Sequence, residues 1–233
     1  MLKIVNKIGL EAEYLLFNKK EELVLPQVFG YETDDLPILG EVRAKPGETR
    51  EDAVGNFFTV LSQLIHATKQ DGLKIGYGYA DITPQFKAEI LREMGTKTIQ
   101  DIKNIYKTDI LSLSDDTVVD GVVVSCRISC GLHIHFSREV LSTVTLESGK
   151  MVTDKKFLIT DSQIKSIVRT MDKLVLPNHQ LGVPLKYRKP GYYEKKDWGF
   201  EYRSLPMYPP FVKVGELTDL VDTAFTLLER LGK

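Results

Sequence analysis

The sequence predicts an α+β fold, a single domain with a largely antiparallel sheet backed by helices, and three observations point there. Segments with strand alternation and segments with helical spacing follow one another without the regular strand–helix–strand order of a doubly wound parallel sheet. No linker, internal repeat or low-complexity tract divides the 233 residues, a length that suits one large domain. Hydrophobic residues make up 42% and charged residues 27%, enough apolar content for a core and too much for a disordered chain.

Residues 2–17 read as a strand, because Leu10, Ala12 and Tyr14 alternate with Gly9, Glu11 and Glu13. Residues 18–37 are loop-like, with a short strand near Leu23, and residues 38–43 form a second strand ending in Glu41-Val42-Arg43. A helix starts at Thr49 or Asp52 and runs to about Lys69, since Phe57, Val60, Leu61, Leu64 and Ile65 fall at helical spacing. Leu73–Ala80 suits a strand and Pro84–Met94 a short helix. Val118–Phe136, rich in Val, Ile and Ser, reads as one long extended segment, and residues 143–153 as a hairpin edge turning at Glu147-Ser148-Gly149. Asp161 is placed to cap a helix over Ser162–Leu176, with Pro177 as its stop. Residues 178–197 form a polar, aromatic and basic loop. Phe200–Ser204 is a strand and Leu217–Leu231 a terminal amphipathic helix.

Lys and Arg total 31 against 32 Asp and Glu, which argues against a mainly electrostatic nucleic-acid binder. No apolar run reaches the roughly 18 residues of a membrane span. Glu11 and Glu13 interrupt the first apolar stretch where a signal peptide should be uncharged, so an intracellular, cytoplasmic chain is expected. On one continuous strand Cys126 and Cys130 would lie about 13 Å apart, beyond the roughly 7 Å a disulfide tolerates. Two free, buried thiols are predicted.

Four short patterns carry the chemistry: Gly9-Leu10-Glu11-Ala12-Glu13, Gly40-Glu41-Val42-Arg43, Gly131-Leu132-His133-Ile134-His135 and Gly199-Phe200-Glu201-Tyr202-Arg203. Each sets two ionisable groups two residues apart, which on a strand puts both on one face and the intervening apolar residue on the other. Any single pair is what the wet face of an antiparallel sheet looks like. The set as a whole is the kit for divalent cations and phosphate. If the strands neighbour one another, Glu11, Glu13, Glu41 and Glu201 converge. Two carboxylates about 5 Å apart at an effective dielectric of about 20 repel by roughly 3 kcal/mol, so four together must protonate or hold cations. Carboxylates with an imidazole suit Mg²⁺ or Mn²⁺ better than zinc. A bulge in the strand would be needed to bring Cys126 and Cys130 to the face of His133 and His135.

The ordered series GLEAE, GEVRAKPG, GLHIHFS and GFEYRSLP, spanning residues 9–206, resembles the phage and bacterial amidoligase family, the COOH–NH2 ligases of type 2 in the glutamine synthetase-like carboxylate–amine ligase superfamily. The resemblance implies a saddle-shaped antiparallel sheet with ATP entering one end and the substrates the other. It implies ATP- and Mg²⁺-dependent amide formation through an acyl phosphate. By matching position, Glu11, His133 and Glu201 would hold the metal bridging the ATP phosphates, and Glu13 with Glu41 a second metal. His135 would contact ATP phosphate, Arg203 would stabilise the phosphoryl group in transfer, and Arg43 would grip a substrate carboxylate. Arg188, in an Arg/Tyr/Gly-rich stretch like the family's, is a candidate phosphate or substrate ligand, against the alternative of a solvated basic loop. The partners implied are small-molecule or peptide carboxylates and amines, with no nucleic acid or membrane and with an oligomer open. Two other readings stand beside this one: a guanidino-kinase-like phosphotransferase, and a non-catalytic phage-associated binding protein with a vestigial site.

Overall fold

The structure is a computed structural model describing residues 2–106, 117–119, 122–124, 126–145, 148, 151–175 and 188–231. It is α+β, and every strand pairing among the described residues is antiparallel. Its axis is β1 (Leu2–Phe17), 16 residues long and so about 50 Å in length. That length lets one strand serve several partners. From Leu2 to Ala12 it pairs with β9 (Gly131–Thr145), from Glu11 to Tyr14 with β3 (Gly40–Arg43), and its last residues with β2 (Leu23–Val24) and β4 (Lys74–Gly76). On the other side of β9 lie β12 (Gly199–Pro206), then β11 (Tyr193–Lys196). β10 (Met151–Phe157) pairs with the outer part of β9, making eight strands.

Alternation gives this sheet two unlike faces. Ile8, Leu10 and Ala12, Leu132, Ile134 and Phe136, and Phe200 and Tyr202 are buried in one core with the apolar stripes of the helices. Phe136 and Phe200 stack in parallel across the β9–β12 pair, ring centroids 4.7 Å apart. The helices are α1 (Arg50–Gln70), α2 (Pro84–Glu93), α3 (Ile99–Tyr106), α4 (Asp161–Leu174) and α5 (Val214–Arg230). α1 and α5 pack on β1 and on each other, and α4 packs on β12. Among the described residues no helix is long and apolar enough to cross a membrane.

Several boundaries differ from the expectation, each for a local reason. Leu73–Ala80 is two strands, because Gly78 takes a left-handed φ of 96° between β4 and β5 (Tyr79–Ile82). Val118–Phe136 is not continuous either. It divides into β6 (Thr117–Val119), β7 (Val122–Val124), β8 (Cys126–Ser129) and β9. β6 pairs with β7 and β8 with β5. At the last break the Cys130 N–H donates to Gly78 O while its carbonyl accepts from Met207 N–H, so Cys130 sits in a loop-to-loop bridge instead of a ladder. Both cysteines are free; Cys130 is buried and Cys126 half-buried. The cap of α4 is Thr160, one residue before Asp161, because Thr160 and Gln163 form a reciprocal capping box. Leu176, Pro177 and residues 178–187 lie outside the described residues. β11 and α3 were not predicted from the sequence.

Candidate functional site

The polar halves of the four patterns meet on the face opposite the core. Register does this directly. Glu11 lies between Arg43 on β3 and His133 on β9; Glu13 pairs with Glu41; His135 pairs with Gly9 on one side and Glu201 on the other. Arg203 follows Glu201 on the same face of β12. Glu11, Glu13, Glu41, His133, Glu201 and Arg203 are buried, the His135 side chain keeps 16% of its surface and the Arg43 side chain 62%.

His133 is the hub. Its Nδ1 is 2.7 Å from Glu11 Oε1 and 2.9 Å from Glu201 Oε1, and its Nε2 is 3.3 Å from Glu13 Oε1. Burial and the Arg203 charge oppose its protonation, but Glu13, Glu201 and Glu11 prevail and lift its pKa to about 9. The four carboxylates separate into two kinds. Burial pushes Glu41 up to about 9, helped by the Glu11 charge, and it pushes Glu13 up against the pull of Arg188 and His133. Burial acts the same way on Glu11 and Glu201, but it is outweighed there. His133 and His135 hold Glu11 far below the usual carboxylate range, and His133 and Arg203 hold Glu201 at about 2. Neighbouring acids driven apart in this way can play different chemical roles.

Arg43 Nε bonds Glu11 Oε2 at 2.7 Å and its Nη2 meets Glu41 Oε1 at 2.5 Å. Arg203 Nη1 lies 3.2 Å from Glu194 and 3.3 Å from Glu201. Arg188 is not in a solvated loop. It is buried beneath the face, with Nη2 on Glu13 Oε2 and Nη1 3.1 Å from His133 Nε2 and from Arg203 O.

One group of side chains has the spacing of a cation site: ligand atoms of Glu11, His135 and Glu201 lie within 4.8 Å of one another. His135 Nε2 is 3.4 Å from Glu11 Oε2 and 4.0 Å from Glu201 Oε2. Around an ion bound at about 2.1 Å, ligand atoms stand about 3.0 Å apart as neighbours and about 4.2 Å across, so these spacings fit. His135 Nε2 and Glu201 Oε1 are also buried without a hydrogen-bond partner, the His133 N–H being directed at Glu11. The sequence resemblance put His133 with Glu11 and Glu201; His135 joins them at cation-site spacing, while His133 Nδ1 contacts the same two carboxylates.

Two clefts meet at this group. One, of about 630 Å³, carries Lys7, Lys45, His135, Ser137 and Trp198; the other, of about 370 Å³, carries Asp34, Tyr192, Glu194 and Arg203. Glu11, Arg43, Lys196 and Glu201 line both. Lys7, Ser137, Glu139, Lys196 and Trp198 were not singled out from the sequence. Two of them had a signal, since Ser137 and Glu139 continue the alternation of His133 and His135 along β9. Trp198 is the chain's sole tryptophan, and its ring centroid lies 5.0 Å from that of His135. No family model, curated protein or solved structure matches this chain.

Proposed function

We propose that this protein is an ATP- and Mg²⁺-dependent carboxylate–amine ligase, with Mn²⁺ able to replace Mg²⁺. The observation that carries the reading is the meeting of two clefts at one cluster of carboxylates, imidazoles and arginines. The wider cleft, with Lys7, Lys45 and Lys196 and an aromatic wall at Trp198, has the complement for a nucleotide polyphosphate. Glu11, His135 and Glu201 would hold the divalent ion, which supplies neutralisation of phosphate charge. The second cleft offers Arg43 and Arg203 to a carboxylate, and acidic groups and Tyr192 to an amine.

In amide ligation the substrate carboxylate attacks the γ-phosphorus and ADP leaves; the amine then adds to the acyl carbon and phosphate leaves. Such chemistry depends on positioning and on charge stabilisation. Arg203 is placed to stabilise the transferring group. Arg43 is placed to hold the carboxylate, with Glu41 against its guanidinium. ATP dependence fits a cytoplasmic enzyme.

Product analysis tests the reading. Purified protein with ATP and Mg²⁺ is screened against paired carboxylates and amines, and products are followed by phosphate release and mass spectrometry. Amide formed in step with ADP supports a ligase. A stable phosphorylated product would assign a phosphotransferase instead, and no turnover with any pair would favour a binding protein.

A further inference from the structure

The geometry points to a centre that takes one divalent ion per chain, with the Arg188 guanidinium standing where a second cation would sit beside Glu13. This rests on the reading of Glu11, His135 and Glu201 as a metal group, and it departs from the two-metal arrangement that the sequence resemblance implies. Glu13 and Glu41 face each other across β1 and β3 and are the carboxylates available for a second ion. Glu13 is fully buried, and its polar neighbours are already in place. Its Oε2 accepts from Arg188 Nη2 and from Gly131 N–H at 2.5 Å, and its Oε1 faces His133 Nε2 at 3.3 Å. Oε2 is thus taken up by groups the chain itself contributes, while Oε1 makes no hydrogen bond.

Arg188 is built in, not passing by. Its Nη2 also lies 3.3 Å from Ser129 O, and its Nη1 reaches Arg203 O. A Cβ at Gly131 would fall 2.3 Å from the guanidinium, so glycine at the start of β9 leaves the space the arginine fills. Neither cleft at the site is lined by Arg188. It therefore acts through Glu13 and His133 as a positioning residue. It fixes the hub imidazole under Glu11 and Glu201 while occupying the second cation's place. A guanidinium cannot be exchanged or chelated, so this positive charge is permanent.

Counting bound Mn²⁺ tests this. The full chain at neutral pH is titrated with Mn²⁺ alone, free ion being read by electron paramagnetic resonance. One ion per chain is expected. Glu201→Gln should weaken it at least tenfold, and Glu13→Gln should leave the count at one with affinity within about threefold. Two ions in the wild-type protein, or a loss above tenfold in a folded Glu13→Gln variant, would overturn the proposal while leaving the metal reading intact. No bound ion at millimolar Mn²⁺ would overturn both. The decisive count is made on the wild-type chain, so it does not depend on any variant folding.

Discussion

Glu13 and Glu201 lie on the same face of one sheet, both buried and both in ionic contact with His133, yet their surroundings differ. Around Glu13 the chain brings Arg188, the Gly131 N–H and His133, and none of these faces either cleft. Each of the two keeps one oxygen without a hydrogen bond, but both clefts open onto Glu201, where His135 Nε2 is also without one. Glu13 is held by Arg188 away from the clefts; Glu201 is presented to them. Satisfied buried networks rigidify a structure, whereas groups left unpaired cost stability. Retaining them at the junction of two clefts is what a binding site requires, and the contrast separates residues that hold the site from residues that use it.

The contrast breaks most visibly at Arg188. Arg188→Ala leaves Glu13 as a buried charge without its guanidinium and should cost about 3–5 kcal/mol. That is about 6–20 °C in unfolding temperature for a chain of this size, read by calorimetry. Glu201→Gln should do the opposite. Its unfolding temperature should fall by less than that of Arg188→Ala, while ATP-dependent turnover falls by about 10²–10³-fold, as when one charge-stabilising group is removed. Equal stability losses in the two variants would erase the distinction.

The glycines sharpen it at the next level. Gly131→Ala drives a methyl into the pinned guanidinium and should cost about 1–3 kcal/mol in chemical denaturation. Gly9→Ala meets His135 Cβ at 3.2 Å, Pro46 Cγ at 3.3 Å and His135 Nδ1 at 3.4 Å, and should cost under about 1 kcal/mol.

The pH profile of stability tests the charges together. Glu201, held at about 2, contributes stability that is present above the ordinary carboxylate range and is lost as pH falls toward 2. His133 and Glu41, both raised to about 9, contribute stability present at lower pH and lost as pH rises through 9. Denaturant midpoints should therefore rise from pH 2 to about 4.5 and decline toward pH 9. Smallest of all, Trp198→Ala should leave folding unchanged and weaken nucleotide binding by about 2–12-fold, the worth of one ring stack, in a titration calorimeter.

How far the sequence led follows the same division. Alternation alone put Glu11 with Glu13, His133 with His135 and Glu201 with Arg203, each pair on one face of its strand, because a strand has a period of two and the intervening Ala12, Ile134 and Tyr202 face the other way. Which strands adjoin could not be read that way. The pairing of Glu11 with both Arg43 and His133 depends on long-range register, set by β1 being long enough to pair with β3 and β9 at once. The place of His135 beside Glu11 and Glu201 has the same origin, since it turns on where β12 docks. Arg188 had the right composition around it but no periodic signal, and only its burial against Glu13 distinguishes a structural guanidinium from a solvated one. Strand breaks at Gly78 and Cys130 escaped because neither position interrupts the apolar pattern.

The most direct test of the central claim is thermal unfolding with ATP and Mg²⁺, against EDTA, in wild type and Glu201→Gln. At about a hundred times its dissociation constant a ligand stabilises by roughly 2.7 kcal/mol, or about 5–11 °C here. The account predicts a shift of that size, dependent on Mg²⁺ and lost in Glu201→Gln. An unchanged unfolding temperature in folded wild-type protein at millimolar ATP and Mg²⁺, or an equal shift in the variant, would contradict it.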